Sequence, residues 1–393
     1  MVRMQTISHY IITYSNASWL VNQIKHMQRY RPWVVAWARD IDDDITSSQD
    51  FYQAMPQPGA GAGMRKLALA IGYMWETLYG GTTRHLAGRM MQEQTRLIHA
   101  HYGRAGYHAL PIIRRTGLPL ITSFYGYDIS EYPNYPAWRR RYERLFAEGD
   151  YFMVEGTHMR ETLIRVGCPP EKAILQRLGI PLDKVEFKPR QWEPGTPLNV
   201  LQVARIREKK GIPDSIRGFA GLHRVYPEAR FTLIGDLNSA VARPIMEEVQ
   251  REVEKHHLED TVKCYDYVPY EEYLRIMQEA HIFLQPSVTA ENGDSEGGAP
   301  VSLIEASASG MMIVATRHCD IPEVVLNGKS GLLATEHQPE ELTQHLITLA
   351  QNSDSWIQMA QTGRAHIEDA YDVRKQIAAL EAFYSRVIEA KNT

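Results

Sequence analysis

Glu296 and Glu305 stand nine positions apart in SEGGAPVSLIEASASG (295–310), one ahead of a glycine-rich turn and one inside the apolar run behind it. Carboxylates accept hydrogen bonds from hydroxyls, two at once from a vicinal diol. VSLIEASAS (301–309) has apolar residues at helical spacing and stops at Gly310, so SEGGAP (295–300) is a turn at a helix N-terminus. Such a turn offers free backbone N–H groups and the positive end of the helix dipole, a receptor for phosphate oxygens. Glu305 sits among Leu303, Ile304, Ala306 and Ala308, poor company for a solvent-facing carboxylate. The plainer alternative makes one glutamate a loop residue and the other a solvated helix position. Upstream, VARIREKKG (203–211) sets Arg205 just past an apolar strand and Lys210 five residues on. A planar fork and a mobile point charge suit a diphosphate.

Two other motifs carry less chemistry. PGAGAGM (58–64) has alternate glycines but follows no strand, so it reads as a flexible loop before a helix and not as a dinucleotide loop. DIDDDIT (40–46) has clustered aspartates that suit a divalent ion, but an exposed turn or helix cap is the plainer reading. No metal site is expected.

These residues need a scaffold, and the second half of the chain supplies its pattern. LNVLQVAR (198–205), ARFTLIG (229–235), VKCYDYV (262–268), HIFLQPS (281–287), MMIVAT (311–316) and GLLAT (331–335) are strand-length runs. Helix-length segments separate most of them, including DSIRGFAGLHRVYP (214–227), AVARPIMEEVQREVEKHHL (240–258) and YEEYLRIMQEA (270–280). Strands with helical connections imply a parallel sheet covered on both faces. The first half repeats the pattern less cleanly with TISHYII, WVVAWA, LIHAHY, LPLITSFY and YFMVEG. The proline-rich stretch 183–197 reads as a linker. The domains are therefore expected at 1–190 and 197–371, with a final helix over about 372–390 returning to the first.

At 393 residues, 44% hydrophobic and 23% charged, the chain suits two soluble globular domains. Three scattered cysteines argue for a reducing compartment and against a disulfide framework or zinc site. No run is long enough to span a bilayer, so a cytoplasmic location is expected. Residues 1–196 carry 24 Lys and Arg against 18 Asp and Glu, while 197–393 carry 19 against 29. A basic first half suits an anionic acceptor or the anionic face of a membrane, and the plainer reading is an uneven surface charge without a partner. MRKLALAIGYMWETLY (64–79) reads either as a bilayer-surface segment or as a core or acceptor-site helix. Nothing resembles a nucleic-acid-binding stripe.

VARIREKKG, HIFLQPS, EGGAPVSLIEASASG, MMIVATRHCDIPEVV and NGKSGLL together resemble the retaining glycosyltransferases of family 4. Those enzymes have the GT-B fold, two Rossmann-like doubly wound parallel-sheet α/β domains facing a central cleft. IHAHYG (98–103), SFYGYDIS (123–130) and RLGIPLDKVEF (177–187) extend the likeness, and YSNASWLVNQI (14–24) is similar to exopolysaccharide-biosynthesis members. The resemblance implies a retaining, metal-independent hexosyltransferase that moves a hexose from a UDP- or GDP-sugar to a saccharide or lipid-linked acceptor. It needs no cofactor beyond that nucleotide diphosphate-sugar.

On this resemblance Arg205 and Lys210 bind the diphosphate and Glu305 holds the ribose. Glu296 lies beside the sugar, one residue further from Glu305 than the family's Glu-x7-Glu spacing. Gly297, Gly298 and Ala299 offer amides, Pro300 closes the turn, and Ser302 donates a hydroxyl to phosphate. Tyr267 and Val268 lie near the base. Asn16, His101 and Asp128 fall on the acceptor side. Tyr125 stands where many members carry histidine, and a tyrosine is no base near neutral pH, so the leaving phosphate takes the acceptor's proton. Tyr125 reads equally as a packing aromatic and His101 as a satisfied core histidine. The rival readings are a nucleotide-sugar-binding regulatory protein without catalysis and a GT-B-type epimerase or phosphorylase.

Overall fold

The computed structural model describes residues 4–15, 17–39, 43–54 and 81–392. Asn16, residues 40–42 of the aspartate loop, the glycine loop 58–64 and the segment 64–79 lie outside the described residues. The chain divides into two compact units. Met1–Glu155, Arg160–Gly179 and Val373–Thr393 form the first, and Gly156–Met159 with Ile180–Asp372 the second.

The first unit is built on a seven-stranded parallel sheet: β1 (Thr6–Tyr14), β2 (Arg31–Arg39), β3 (Phe51–Gln53), β4 (Thr95–His101), β5 (Leu120–Ser123), β6 (Tyr151–Val154) and β7 (Ala173–Leu175). Its order is β3-β2-β1-β4-β5-β6-β7. The central strands are buried on both faces because helices cover both, which is why β1 and β4 read as continuous runs and not as alternating ones. The final helix, Val373–Asn392, lays Val373, Ile377, Leu380, Tyr384, Val387 and Ile388 against Ile7, Leu97, Ile121 and Met153. Its buried Glu381 accepts the amides of Gln28, Arg29 and Tyr30 at 3.0, 2.7 and 3.1 Å, fixing the turn into β2.

The second unit has six parallel strands: β8 (Asn199–Val203), β9 (Arg230–Ile234), β10 (Val262–Tyr265), β11 (Ile282–Gln285), β12 (Met312–Thr316) and β13 (Leu332–Ala334). Their order is β10-β9-β8-β11-β12-β13. Two cores flank the sheet, one around Ile216, Phe219, Phe231 and Trp356, the other around Phe283, Leu303, Ile313 and Ile321.

Three features differ from the sequence expectation. β3 and β7 are edge strands of three residues, too short to show a period. The break between units falls after Gly179, not at 190–197. The stretch 183–197 is packed into the second unit because Arg190 is buried there, its guanidinium donating to the carbonyls of Met277, Ala280 and Ser309. Among the described residues no helix is long and apolar enough to cross a membrane.

Candidate functional site

In both sheets the strand order reverses beside the unit's first strand, between β1 and β4 and between β8 and β11. Open α/β sheets collect ligands beyond the carboxyl ends of the strands at such points. In the second unit β8 ends at Val203, and Arg205 follows. Arg205 is exposed and makes no hydrogen bond or ion pair with the described residues. A short 3-10 turn, Glu208–Lys210, leads into Gly211, whose φ is +59°. A Cβ on Gly211 would lie 1.9 Å from the Pro286 carbonyl oxygen, so only glycine lets the two loops meet this closely.

That approach carries Lys210 to Glu296. The ammonium Nζ lies 2.7 Å from Glu296 Oε1 and 2.6 Å from Oε2, and the Ser287 hydroxyl donates to Oε1 at 2.7 Å. Lys209 secures the same turn through Asp294 (2.9 Å) and the Ser295 carbonyl (2.8 Å). Burial alone would raise the Glu296 carboxyl, but Lys210, Lys209 and Ser287 outweigh it and hold the group below its ordinary value. Glu296 is therefore an anion clamped to a cation.

Past Glu296, Gly297 has φ +75° and the chain turns into the Val301–Ser309 helix. Pro300 caps it, its carbonyl taking the amides of Leu303 and Ile304. The amides of Gly297, Gly298, Ala299, Val301 and Ser302 donate to none of the described residues. Five donors at a helix N-terminus, beside Lys210, form a receptor for an anion. Ser302 contributes its amide only, since its hydroxyl is spent on the Val203 carbonyl (3.0 Å).

Glu305, one turn into the helix, is 5% exposed. It accepts hydrogen bonds from Tyr273 (2.8 Å) and Tyr270 (3.3 Å), neighbours at i and i+3 on the Tyr270–Glu279 helix. Burial raises its carboxyl above the ordinary value even though both phenols oppose the shift. Glu296 and Glu305 thus have separate partners: Lys210 sets one, two tyrosines the other. Tyr267 is 68% exposed, and Val268 packs against the adjoining core.

In the first unit three buried histidines, His9 on β1 and His99 and His101 on β4, bring ring nitrogens within 4.8 Å of one another. All six nitrogens are engaged. His99 bonds Ser123 (2.7 Å) and Tyr384 (2.5 Å), His101 bonds Tyr125 (2.7 Å) and His9 (3.0 Å), and His9 bonds the Met27 sulfur (3.2 Å). The Met27 thioether only accepts, so His9 Nε2 carries a proton and its Nδ1 accepts from His101 Nε2–H. His101 Nδ1 must then accept from the Tyr125 hydroxyl. Burial drives the His9 imidazole down to about 3 and those of His99 and His101 well below their ordinary value, so the chain is neutral. Tyr125 also stacks on Trp19, ring centroids 4.1 Å apart, and burial raises its phenol. It acts as a hydrogen-bond donor into the core, leaving its oxygen lone pairs as its remaining polar function.

Asp128 is fully buried, its carboxylate taken by the amides of Gly103 (2.9 Å) and Tyr125 (3.0 Å). These bonds fix the SFYGYD loop. Tyr125→Phe should cost about 1–3 kcal/mol of stability, because His101 Nδ1 would be left buried without a donor. Urea denaturation of the variant against the wild type measures this, and an unchanged midpoint would refute the donor chain.

Ser287, Lys209, His318, Tyr270 and Tyr273 were not singled out from the sequence. Ser287 and His318 each lie two residues past a strand end, β11 and β12, a position that signals a site once the strands are placed. The two tyrosines carry no signal until the face of Glu305 is known.

Residues 183–366 match the family described as "Glycosyl transferases group 1", and residues 66–184 match "Glycosyltransferase Family 4". The chain is 32% identical over 289 residues to WcaL of Escherichia coli, a glycosyltransferase named for colanic acid biosynthesis, covering 72% of this chain and 69% of WcaL. It is 34% identical over 278 residues to the amylovoran biosynthesis glycosyltransferase AmsK of Erwinia amylovora, covering 70% and 66%. The matched stretch thus spans about two thirds of these relatives. Among solved structures, Anabaena HepE in complex with UDP and glucose superposes with a TM-score of 0.77 over 98% of this chain and 100% of that one, at 17% identity. The sucrose-phosphate synthase of Thermosynechococcus elongatus gives 0.76 over the same shares at 16%. Both likenesses establish the two-unit fold as GT-B.

Proposed function

The chain belongs to the family 4 glycosyltransferases, and on that footing we propose that it moves a hexose from a nucleotide diphosphate-sugar, UDP- or GDP-linked, to a saccharide or lipid-linked acceptor in polysaccharide or glycolipid biosynthesis. The observation that carries the reading is the group of five undonated amides at the Val301–Ser309 helix beside Lys210, with Arg205 two residues past the Val203 carbonyl that Ser302 bonds. They would hold the diphosphate and stabilise it as it departs, the role a divalent metal plays in other transferases. The second unit is then the donor unit and the first the acceptor unit. Glu305, aligned by Tyr270 and Tyr273, would accept from the ribose diol. Glu296 orients Lys210 and lies beside the sugar. The exposed Tyr267 and the DYVP backbone lie toward the base.

The configuration is proposed to be retained. Tyr125 faces its donor proton inward and its phenol is raised, so it cannot act as a base near neutral pH. The leaving phosphate oxygen instead takes the proton of the attacking hydroxyl, and Tyr125 can accept a hydrogen bond from an acceptor sugar. This reading calls for no resident metal or cofactor, and a cytoplasmic location, where nucleotide sugars are made, fits it. Contact with an anionic membrane through 64–79 would bring it to a lipid-linked acceptor.

Thermal shift against a panel of UDP-, GDP- and ADP-sugars tests the reading. One nucleotide should raise the midpoint, by several degrees at a hundredfold excess over its dissociation constant. Slow release of free nucleotide from the same mixture supports a transferase. Binding without release supports the regulatory alternative, and no shift with any of them removes the nucleotide site.

A further inference from the structure

We propose that Cys319 is an activated nucleophile, a site of covalent modification by soft carbon electrophiles, generated by a Cys319–His318–Glu336 array at the carboxyl end of β12. The Cys319 sulfur lies 3.1 Å from His318 Nε2, and His318 Nδ1 lies 2.8 Å from Glu336 Oε1. Nucleophile, base and orienting carboxylate are in line, the arrangement that activates thiols elsewhere. The glycosyl-transfer reading uses only the Glu296 amide that His318 accepts, and it gives the thiol no role. His318 is 1% exposed, whereas Cys319 is only partly buried and can be reached. Its backbone has φ +46°, unusual for a residue other than glycine, and this turns the side chain back toward the preceding imidazole.

The proton inventory is defined by a backbone group. The Glu296 amide donates to His318 Nε2 at 3.1 Å, so the uncharged form of the imidazole carries its proton on Nδ1, facing Glu336. The thiol proton is directed at that same Nε2. Transfer gives a thiolate and an imidazolium held by Glu336, and it releases the Glu296 amide. The thiolate then attacks the electrophilic carbon, a C–S bond forms, the leaving group departs with its electron pair, and the proton stays on His318 until solvent removes it.

The groups facing the pair favour this state. His158 and Ser295 approach the thiol, Glu336 and Glu296 face the imidazole, and Asp320 is occupied by the amides of His158 and Met159. Burial opposes charge on both partners. Even so, His158 and His318 bring the thiol down to about 6, and Cys319 with Glu336 brings the imidazole up to about 9. The other cysteines provide internal controls. Cys168 is buried and pushed up to about 12, and Cys264 is exposed but raised by desolvation of its sulfur.

The test is alkylation of the full-length protein by iodoacetamide, with peptide mapping of all three cysteines from pH 5 to 9.5 and no nucleotide sugar present. Cys319 should label at least tenfold faster than the exposed Cys264 at pH 6, with a midpoint near 6 and a plateau above it. His318→Gln should slow Cys319 labelling at pH 6 about tenfold. A Cys319 rate that keeps climbing between pH 8 and 9.5, or Cys264 labelling first at pH 6, overturns the proposal. The wild-type profile decides this even if the variant does not fold. It does so independently of whether the protein transfers sugar.

Discussion

Lys210→Ala should lower turnover of the nucleotide-sugar donor on the order of a thousandfold, the scale of removing one preorganised charge from a departing anion. The ammonium lies within 2.7 Å of both Glu296 oxygens, and the two side chains are 14% and 6% exposed. Removing the lysine therefore has a second effect. It leaves a buried carboxylate with Ser287 and the more distant Lys209, and breaking one side of a buried pair costs about 3–5 kcal/mol. Loss of activity alone would then be ambiguous. The double variant Lys210→Met with Glu296→Gln resolves it, because neither charge remains to be desolvated. Its unfolding midpoint should return toward wild type while turnover stays low. Lys210→Ala activity within tenfold of wild type would dismiss the phosphate assignment. The Glu296 carboxyl is held below its ordinary value, so its stabilisation is present above the pKa of the unfolded chain and is lost as pH falls through the folded one. The wild type should therefore lose more stability than the double variant in acid.

The second large effect is expected at Glu305, with the opposite sign in stability. Its carboxyl is raised by burial, so the folded protein holds that proton to higher pH than the unfolded chain does. Any stability from that proton exists below the unfolded pKa and is lost as pH rises through the folded one. At neutral pH the charged Glu305 is therefore a cost to the fold. Glu305→Gln keeps an acceptor for Tyr273 and removes the charge, so its thermal midpoint at pH 7 should equal or exceed that of wild type. Nucleotide affinity should fall tenfold to a hundredfold, since a hydrogen bond to a charged group is worth about 1.5–3 kcal/mol. Calorimetric titration with the nucleotide found in the panel measures it. A residue retained for folding would behave in reverse, losing stability and keeping affinity. That outcome would leave Glu305 a core residue.

Much of the scaffold was legible in the sequence because a parallel strand covered on both faces is largely apolar along its whole length. β1, β4, β8, β9, β11 and β12 therefore appear as continuous runs wherever one reads. The edge strands β3 and β7 did not, since three residues at a sheet margin need no pattern. Proline and polar residues in 183–197 suggested a free linker. The side chain that overrules this is Arg190, whose buried guanidinium satisfies carbonyls from residues about ninety and more than a hundred positions away. No local pattern announces a partner at that distance.

The candidate site divides the same way. Residue type and spacing by themselves determined that a glycine turn opens a helix after SEGGAP, that Glu305 lies inside it, and that Arg205 and Lys210 follow a strand, because these are consequences of chain geometry over ten residues. Only the tertiary structure decided what each charge does. It gave Lys210 to Glu296, left Arg205 free of the described residues, set two tyrosines on Glu305, and turned Tyr125 inward through His101 and His9 to Met27. It also tied Asp128 to the amides of Gly103 and Tyr125. The physical reason is that the state of a buried polar group is fixed by whichever donor or acceptor the fold brings into hydrogen-bond reach, and here that neighbour comes from an element distant in the chain.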